Sequence, residues 1–544
     1  MEPSGKRLFW TLVCLTVAAG LLRMPLLDRS IWFDEACMSS QRIGTLPQML
    51  ATLYRDIHPP LFVACMHAWN RLFGDGEIAM RMPALLTGLA CIPLTYWVGH
   101  LLVGRRAALW AAILLALSPV HTWYCAEARL YAPMVFCTLL GFGTFLRLMQ
   151  PNRTSKRRRL LFWGHVANVA VMLMLHYYLA VVVLVQLLLA PVLTRGFRRR
   201  STRIVLVHGI GLALLAAFVL IKRALGQFET SQTYLGELTP AKLGTFLCNW
   251  TWTGNTMQTA EASWIVTLGR SYELLGVGAM ALGLVAIARY TRTRAAGWLV
   301  PVAILMLPAF LFACAAIGLQ STYLERTLIP ALPFVLLLAA AGICLLPKPL
   351  RLVAGAGNVL LAAGAMLALY DGYSERWTLY KPHPDWRSAA QWLGNELEAE
   401  AAGRPVYTSM PNPRSLSYYE PRIQYAKNLK STISPERIGK QVTDRLGPWF
   451  GRIAQAQFAE FDRYNAELLA NASLVVYRSK PDPGKLTRPA SAPDDIAYIV
   501  RNHWHPNVDI DDSVERLLAD PRVQTIEAAT FPGVTVSKVR IARD

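Results

Sequence analysis

Apolar residues run in long blocks along most of this chain, and short clusters of Lys and Arg separate them. Blocks fall near 8–27, 78–103, 107–124, 130–149, 160–176, 178–195, 204–222, 272–289, 296–318, 327–346 and 350–370. Each has roughly the length a helix needs to cross a hydrocarbon core of ~30 Å. The pattern predicts about eleven spans, with the long stretch 160–195 divided at the triplet HYY. The basic clusters GRR at 104–106, NRTSKRRR at 152–159, RGFRRRSTR at 195–203, RYTRTR at 289–294 and KPLR at 348–351 all fall on the side of Lys6 and Arg7 under that count. Excess Lys and Arg mark the cytoplasmic side of a membrane protein, so the independent clusters agree on one orientation.

The opposite loops, 28–77, 125–129, 176–178, 223–271 and 319–326, are then outside, and so is the tail. In the first of them Pro47 and the Pro59-Pro60 pair break the segment. IGTLPQMLATLYRD and PPLFVACMHAWNRLFG read as two amphipathic helices lying at the interface. The division expected is a transmembrane domain over 1–372 and a soluble extracytoplasmic domain over 373–544, of roughly 170 residues. Within the latter, DWRSAAQWLGNELEAEA (385–401) has helical periodicity. RPVYTSM (404–410) and SLVVYRS (473–479) read as buried strands, and GVTVSKVRI (533–541) alternates as a strand does. The class is a polytopic α-helical membrane protein with a C-terminal α/β domain. No phosphate-cradling Gly loop and no internal repeat is visible.

Composition supports this and narrows it. The 544 residues are 54% hydrophobic and 17% charged, which a soluble protein rarely matches. The net charge of +20 sits in the short cytoplasmic loops, so it argues for membrane topology and against a nucleic-acid partner. Nine cysteines are scattered without metal-type CxxC spacing and stop at Cys344, which predicts no disulfide framework. Lys6 and Arg7 before the first apolar run resemble a signal peptide, but no small-residue cleavage site follows, so an uncleaved first span is expected.

Candidate chemistry gathers on the outside face. IWFDEA places Asp34 and Glu35 just beyond the first span, and DIHPPLF adds Asp56 and His58. Glu127, Arg129 and Tyr131, then His176 and Tyr177, then Tyr323, Glu325 and Arg326 come from later loops that emerge at the same surface. Carboxylates and arginines at a bilayer edge suit a reaction on a lipid-linked phosphate. Guanidinium groups bind phosphate oxygens in pairs, and a carboxylate accepts the proton of an attacking hydroxyl or amine. Asp34 and Glu35 fit a helix cap as well as a reactive pair. Asp56 with His58 is a candidate site for a divalent cation. The outside segment 223–271 suits either a lid or a static amphipathic loop, and its Trp250, Trp252 and Trp264 suit sugar stacking or headgroup anchoring.

The series WFDEA, D-x-HPPL, SPVHTWYCAEARLYA at 118–132, HYY and YLERTLIPALP at 323–333 resembles the GT-C-type glycosyltransferases. The branch it resembles includes the protein O-mannosyltransferases and the lipid A aminoarabinose transferases. KPHPDWR at 381–387 is similar to the segment opening the soluble domain in bacterial members. The resemblance implies a sugar transferred with inversion from a polyprenyl-phosphate donor to a lipid A, glycolipid, polysaccharide or protein acceptor at the periplasmic face of a bacterial inner membrane. It implies Asp34 as the catalytic acid–base group, with Glu35 and Asp56 beside it, and Arg129, Arg326 and Tyr323 at the donor phosphate. His58, Glu127, His176 and Tyr177 are the remaining site candidates. The rival class is a lipid or glycan transporter, whose polar groups would collect near mid-membrane within repeated helices.

Overall fold

The computed structural model describes residues 3–40, 58–150, 155–194, 199–224, 238–254, 263–290, 297–316 and 323–374. In the C-terminal part it describes 377–378, 381–382, 384–399, 406–408, 414–420, 423–425, 436, 440, 443–444, 447–449, 451–452, 455–456, 459, 463, 474–477, 495–502, 518–531 and 533–542. The chain divides into two compact units. A membrane unit comprises Met1–Asp28, Ile57–Cys65 and Ile78–Tyr370; a second unit comprises Arg29–Asp56, Met66–Glu77 and Asp371–Asp544.

Every apolar block of the sequence is helical. In chain order the helices are α1 (Pro3–Arg23), α2 (Phe33–Ser40), α3 (Leu61–Phe73), α4 (Glu77–Leu102), α5 (Arg105–Ala116), α6 (Pro119–Cys125), α7 (Tyr131–Met149), α8 (Ser155–Leu175), α9 (Leu179–Leu193), α10 (Arg199–Ala224), α11 (Pro240–Thr245), α12 (Ser263–Tyr290), α13 (Leu299–Ala316), α14 (Leu332–Leu345), α15 (Lys348–Ser374), α16 (Trp386–Ala399) and α17 (Arg414–Tyr419). Among the described residues eight helices are long and apolar enough to cross a membrane, and a ninth span forms if α5 and α6 are counted together. The chain is a multi-pass membrane protein. α8 and α9 are helical too; α8 starts with a basic run, and α9 has only 15 residues. Of the two interfacial helices expected in the first outside loop, α3 is present, and the other falls on 41–57, outside the described residues.

One expected span is corrected. The block 107–124 is not one straight helix, because α5 and α6 meet at 60°. Ser118, extended at φ −67° and ψ 119°, caps α6 by accepting the His121 amide at 3.2 Å, and Pro119 occupies the first helical turn. A residue before proline is pushed out of helical geometry, and Ser followed by Pro is a helix start. The carbonyls freed at the end of α5 are taken up by Arg23, which is fully buried. Its Nη1 donates to the carbonyls of Ala19 (2.8 Å) and Ala116 (3.0 Å), and its Nη2 lies 3.2 Å from His121 Nδ1. A buried guanidinium in a membrane protein needs such partners.

α14 is the central span, with 89% of its most apolar window buried. α12 crosses it at van der Waals distance of backbone on backbone. A Cβ on Gly342 would stand 2.0 Å from the Ala279 carbonyl oxygen, and one on Gly283 would stand 2.1 Å from that of Leu338. Small residues let membrane helices approach in this way.

The second unit carries a six-stranded sheet. Its strands are β1 (Val406–Thr408), β2 (Ile423–Tyr425), β3 (Leu474–Tyr477), β4 (Ile496–Asn502), β5 (Val523–Phe531) and β6 (Val534–Ile541), in the order β2-β3-β1-β4-β6-β5. β1 to β4 pair in parallel, and β6 turns the edge antiparallel. β4 is apolar on both faces: Tyr498 and Val500 pack with Trp386, Ala389 and Leu393 of α16, while Ala497 and Ile499 pack with Tyr407 and Val539. That explains its run IAYIV, since a central strand covered on both sides has no polar alternation. Asp385 caps α16, accepting the Ser388 amide (3.1 Å) and hydroxyl (2.6 Å).

Candidate active site

In the membrane unit several loops converge at one end of the helices. The turn after α6 is tight: the Ala126 amide returns to the Trp123 carbonyl at 3.0 Å, and the Arg129 amide returns to that of Glu127 at 2.6 Å. It puts Glu127 into the interior, fully buried, and Arg129 beside the first residue of α7, Tyr131. The Arg129 guanidinium carbon lies 6.0 Å from the Tyr131 ring centroid. Arg326 comes from the other side of the sequence, on the 3-10 turn Glu325–Ala331 that leads into α14, and lies 5.8 Å from the same ring. Cation–π contact is one way an arginine is held beside an aromatic ring. Tyr124 packs edge-on against Tyr131 at 5.0 Å and is within electrostatic reach of Glu127, Arg326 and Glu325.

Histidines adjoin the cluster. His176 follows α8, and its Nδ1 accepts the Tyr178 amide at 3.1 Å, which makes this nitrogen unprotonated and the ring neutral. Its ring lies 6.1 Å from that of His58. Burial, the neighbouring His58 and the Arg129 charge hold its pKa down to about 3. Tyr323 is 3% exposed. Burial and the Glu325 carboxylate keep its phenol above the ordinary range, hence protonated; its hydroxyl has no hydrogen-bond partner among the described residues. The sequence-predicted residues His58, Glu127, Arg129, His176, Tyr323 and Arg326 therefore share one end of the membrane unit, with Tyr177 in the same turn as His176.

Two further residues adjoin the cluster: Lys242, which the sequence pattern does not mark, and Trp250, one of the tryptophans expected to stack on sugar or anchor at the headgroups. Lys242 Nζ, on α11, lies 5.7 Å from the Tyr323 ring. Trp250 packs against Tyr124 at 6.1 Å and against Phe246 at 5.2 Å. Both come from the long outside segment, whose short helices Pro240–Thr245 and Thr251–Thr253 flank a π-helical turn, Phe246–Trp250. Such turns concentrate at functional sites. The segment is tied down by Glu273, which accepts from Asn249 (2.8 Å) and Thr253 (2.5 Å). Trp252, read as a sugar-stacking or headgroup residue, is instead fully buried. Its ring occupies the space where a Cβ on Gly276 would be, and its Nε1 donates to the Leu247 carbonyl at 3.1 Å. Trp264 is 53% exposed at the start of α12, as an anchor would be.

The acids of the first outside loop belong to the second unit. Asp34 and Glu35 occupy the first turn of α2. Glu35 is fully buried, and its carboxylate accepts the Trp32 amide at 3.4 Å, while the Trp32 carbonyl accepts the Ala36 amide at 2.9 Å. Glu35 thus closes the start of the helix, as the third residue of a capping box does. Asp34 is partly exposed. Asp56 lies outside the described residues, and among those described no group of three or more His, Cys, Asp or Glu is placed to hold a metal ion.

Residues 57–221 match the family model described as dolichyl-phosphate-mannose-protein mannosyltransferase. The chain resembles the apo crystal structure of ArnT from Cupriavidus metallidurans with a TM-score of 0.51 and 12% identity, covering 98% of this chain and 98% of that one. The chain shares the fold of this ArnT structure. The likeness in fold extends over the second unit as well as the first. ArnT bound to undecaprenyl phosphate is also similar (14% identity, 97% of this chain and 98% of that one, TM-score 0.43). So is the Archaeoglobus fulgidus oligosaccharyltransferase tethered with an acceptor peptide (14% identity, 84% of this chain and 72% of that one, TM-score 0.42). A search of curated protein sequences finds no match.

Proposed function

We propose that this chain is a GT-C-type glycosyltransferase that moves a sugar from a polyprenyl-phosphate donor to an acceptor at the periplasmic face of a bacterial inner membrane. One observation carries the reading: two guanidinium groups from distant turns flank a single tyrosine ring at one end of the membrane helices. Paired cations there suit a lipid monophosphate whose tail lies in the bilayer. The matched family's description names a dolichyl-phosphate-linked mannose, a donor of this chemical class. The distribution of Lys and Arg among the loops supports the extracytoplasmic side.

In this reading the acceptor hydroxyl or amine attacks the anomeric carbon while the bond from that carbon to the phosphate oxygen breaks. The phosphate leaves with the electron pair, and the configuration inverts. Asp34 takes the proton of the acceptor. Arg129 and Arg326 neutralise the charge that grows on the departing phosphate. The protonated Tyr323 phenol donates to it, and Lys242 adds a third cation nearby. Glu35 and Asp56 orient the acceptor, and Trp250 with Tyr124 forms an aromatic wall of the kind sugars stack on. Lipid A, another glycolipid, a polysaccharide or a protein is the acceptor class.

The phosphate-specific part is tested with undecaprenyl phosphate and undecaprenol, measured for binding to the purified protein in nanodiscs. The phosphate should bind in a manner that weakens with salt and with Arg129→Ala or Arg326→Ala, and the alcohol should bind poorly. Equal binding of the two lipids would overturn the reading.

A further inference from the structure

Arg387 of the KPHPDWR segment and the backbone leading into the acid-bearing helix α2 are joined inside the second unit through a chain of side-chain bonds. Arg387 Nε donates to Glu77 Oε1 at 2.9 Å, and its Nη2 reaches the same oxygen at 2.7 Å. The Tyr419 hydroxyl donates to that oxygen at 2.8 Å and accepts the Ile31 amide at 2.6 Å. The Arg387 amide donates to Ser30 Oγ at 3.2 Å. Glu77 is the last residue of this unit's 66–77 segment, and Ile31 stands two residues before α2. One carboxylate thus gathers an arginine and a tyrosine from the C-terminal region, and that tyrosine grips the backbone leading into the acid-bearing helix.

The parts suit the task. Asp385, two residues before Arg387, fixes the start of α16 through Ser388, so Arg387 projects from a defined first turn. Tyr419 ends α17, which packs on α16 and on α2. Burial is the largest of the influences raising its phenol above the ordinary range, so it remains a donor to Glu77 while its oxygen accepts from Ile31. Charge-assisted bonds of this kind are shorter and stronger than neutral ones, and a half-buried carboxylate with three donors on one oxygen is expensive to leave with fewer.

We infer that Arg387, Glu77 and Tyr419 form a positioning latch by which the C-terminal domain fixes the Ser30–Ile31 lead-in and so the placement of Asp34. The inference rests on the proposed role of Asp34, and it gives the C-terminal domain a task in transfer. These residues touch neither donor nor acceptor; they act through α2.

Hydrogen exchange on the full chain in nanodiscs reads the latch directly. Tyr419→Phe removes one hydroxyl and keeps the ring, so the peptide covering residues 29–36 should exchange at least tenfold faster, with peptides of the membrane helices unchanged. Arg387→Ala and Glu77→Gln should do the same, and Arg387→Lys should restore part of the protection. In a deletion strain complemented with each variant, mass spectrometry of envelope glycans should show the transferred sugar reduced at least tenfold. Undecaprenyl phosphate binding by the same purified variants should stay within twofold of wild type. Unchanged exchange over 29–36 in Tyr419→Phe overturns the latch, as does a wild-type level of product in both Arg387→Ala and Glu77→Gln. An active Asp34→Asn would sink the Asp34 reading while leaving the exchange result standing, so the two failures are distinguishable.

Discussion

Arg129 and Arg326 stand on short turns at the ends of membrane helices and lean on one ring, that of Tyr131, with few residues between each arginine and the helix that carries it. Asp34 and Glu35 ride on an eight-residue helix whose lead-in is held by Tyr419, at a sequence separation of 388 from Ile31. The cationic end is organised by local backbone and rigid spans; the acidic end depends on bonds that cross most of the chain. A membrane helix imposes position on its own termini, because its backbone bonds are all internal. A short interfacial helix has little stability alone and takes its position from what grips it. Damage to the arginines should therefore remove a chemical function and leave the structure, whereas damage around the acids should loosen a segment.

The largest effect is expected at Asp34. Asp34→Asn keeps size and helix position but removes the base, and should lower transfer by roughly 10²–10⁴-fold with undecaprenyl phosphate binding intact. Transfer is read as labelled sugar leaving the lipid, and near wild-type transfer would break the acidic half of the comparison. Next come the arginines. Arg129→Ala and Arg326→Ala should each weaken undecaprenyl phosphate binding by about 10–100-fold, the worth of a charge-assisted bond, with thermal midpoints close to wild type. A collapse in stability instead would make them structural ion partners.

Arg23 sharpens the comparison from the structural side. It binds no substrate in this account, but it satisfies the Ala116 and Leu115 carbonyls at the α5–α6 break, just ahead of the turn with Glu127 and Arg129. Arg23→Ala should cost about 2–3 kcal/mol, seen as a lower unfolding midpoint, with lipid-phosphate binding weakened only as far as the turn moves. The smallest effect concerns His176. Its folded pKa of about 3 lies below the ordinary value of 6.5, so the unfolded chain binds the extra proton as pH falls. Its neutral ring therefore contributes in full above about pH 6.5, and that contribution is lost as pH falls toward 3. His176→Gln should flatten the fall of the melting temperature between pH 7 and pH 5; an identical slope in both proteins would remove His176 as its source.

The helices were legible because each apolar block is long and its flanking charges agree on a side. The bend at Ser118–Pro119 was also written in the chain, as a Ser-Pro helix start inside an apolar run, and was overridden by the run's hydropathy. β5 escaped notice because both its faces are largely exposed, leaving no alternation to read, and β4 because both of its faces are covered. Arg23 carried no signal of its role, since nothing local says that its partners lie 92 and 93 residues away. Lys242 was hidden in a long outside segment without periodicity. Glu35 could be read as cap or catalyst, and its bond to the Trp32 amide now shows a cap. The KPHPDWR motif was recognisable, yet its bond from Arg387 to Glu77 spans 310 residues and carries no signature at either end.

The central claim is tested most directly by reconstituting the purified chain in liposomes with a radiolabelled polyprenyl-phosphate sugar and an envelope lipid and glycan extract. The account predicts that label leaves the polyprenyl phosphate for an acceptor, that free polyprenyl phosphate accumulates in step, and that Asp34→Asn and the double variant Arg129→Ala/Arg326→Ala stop it. Label that stays on its lipid carrier while the carrier crosses the bilayer would contradict the account and make the protein a transporter.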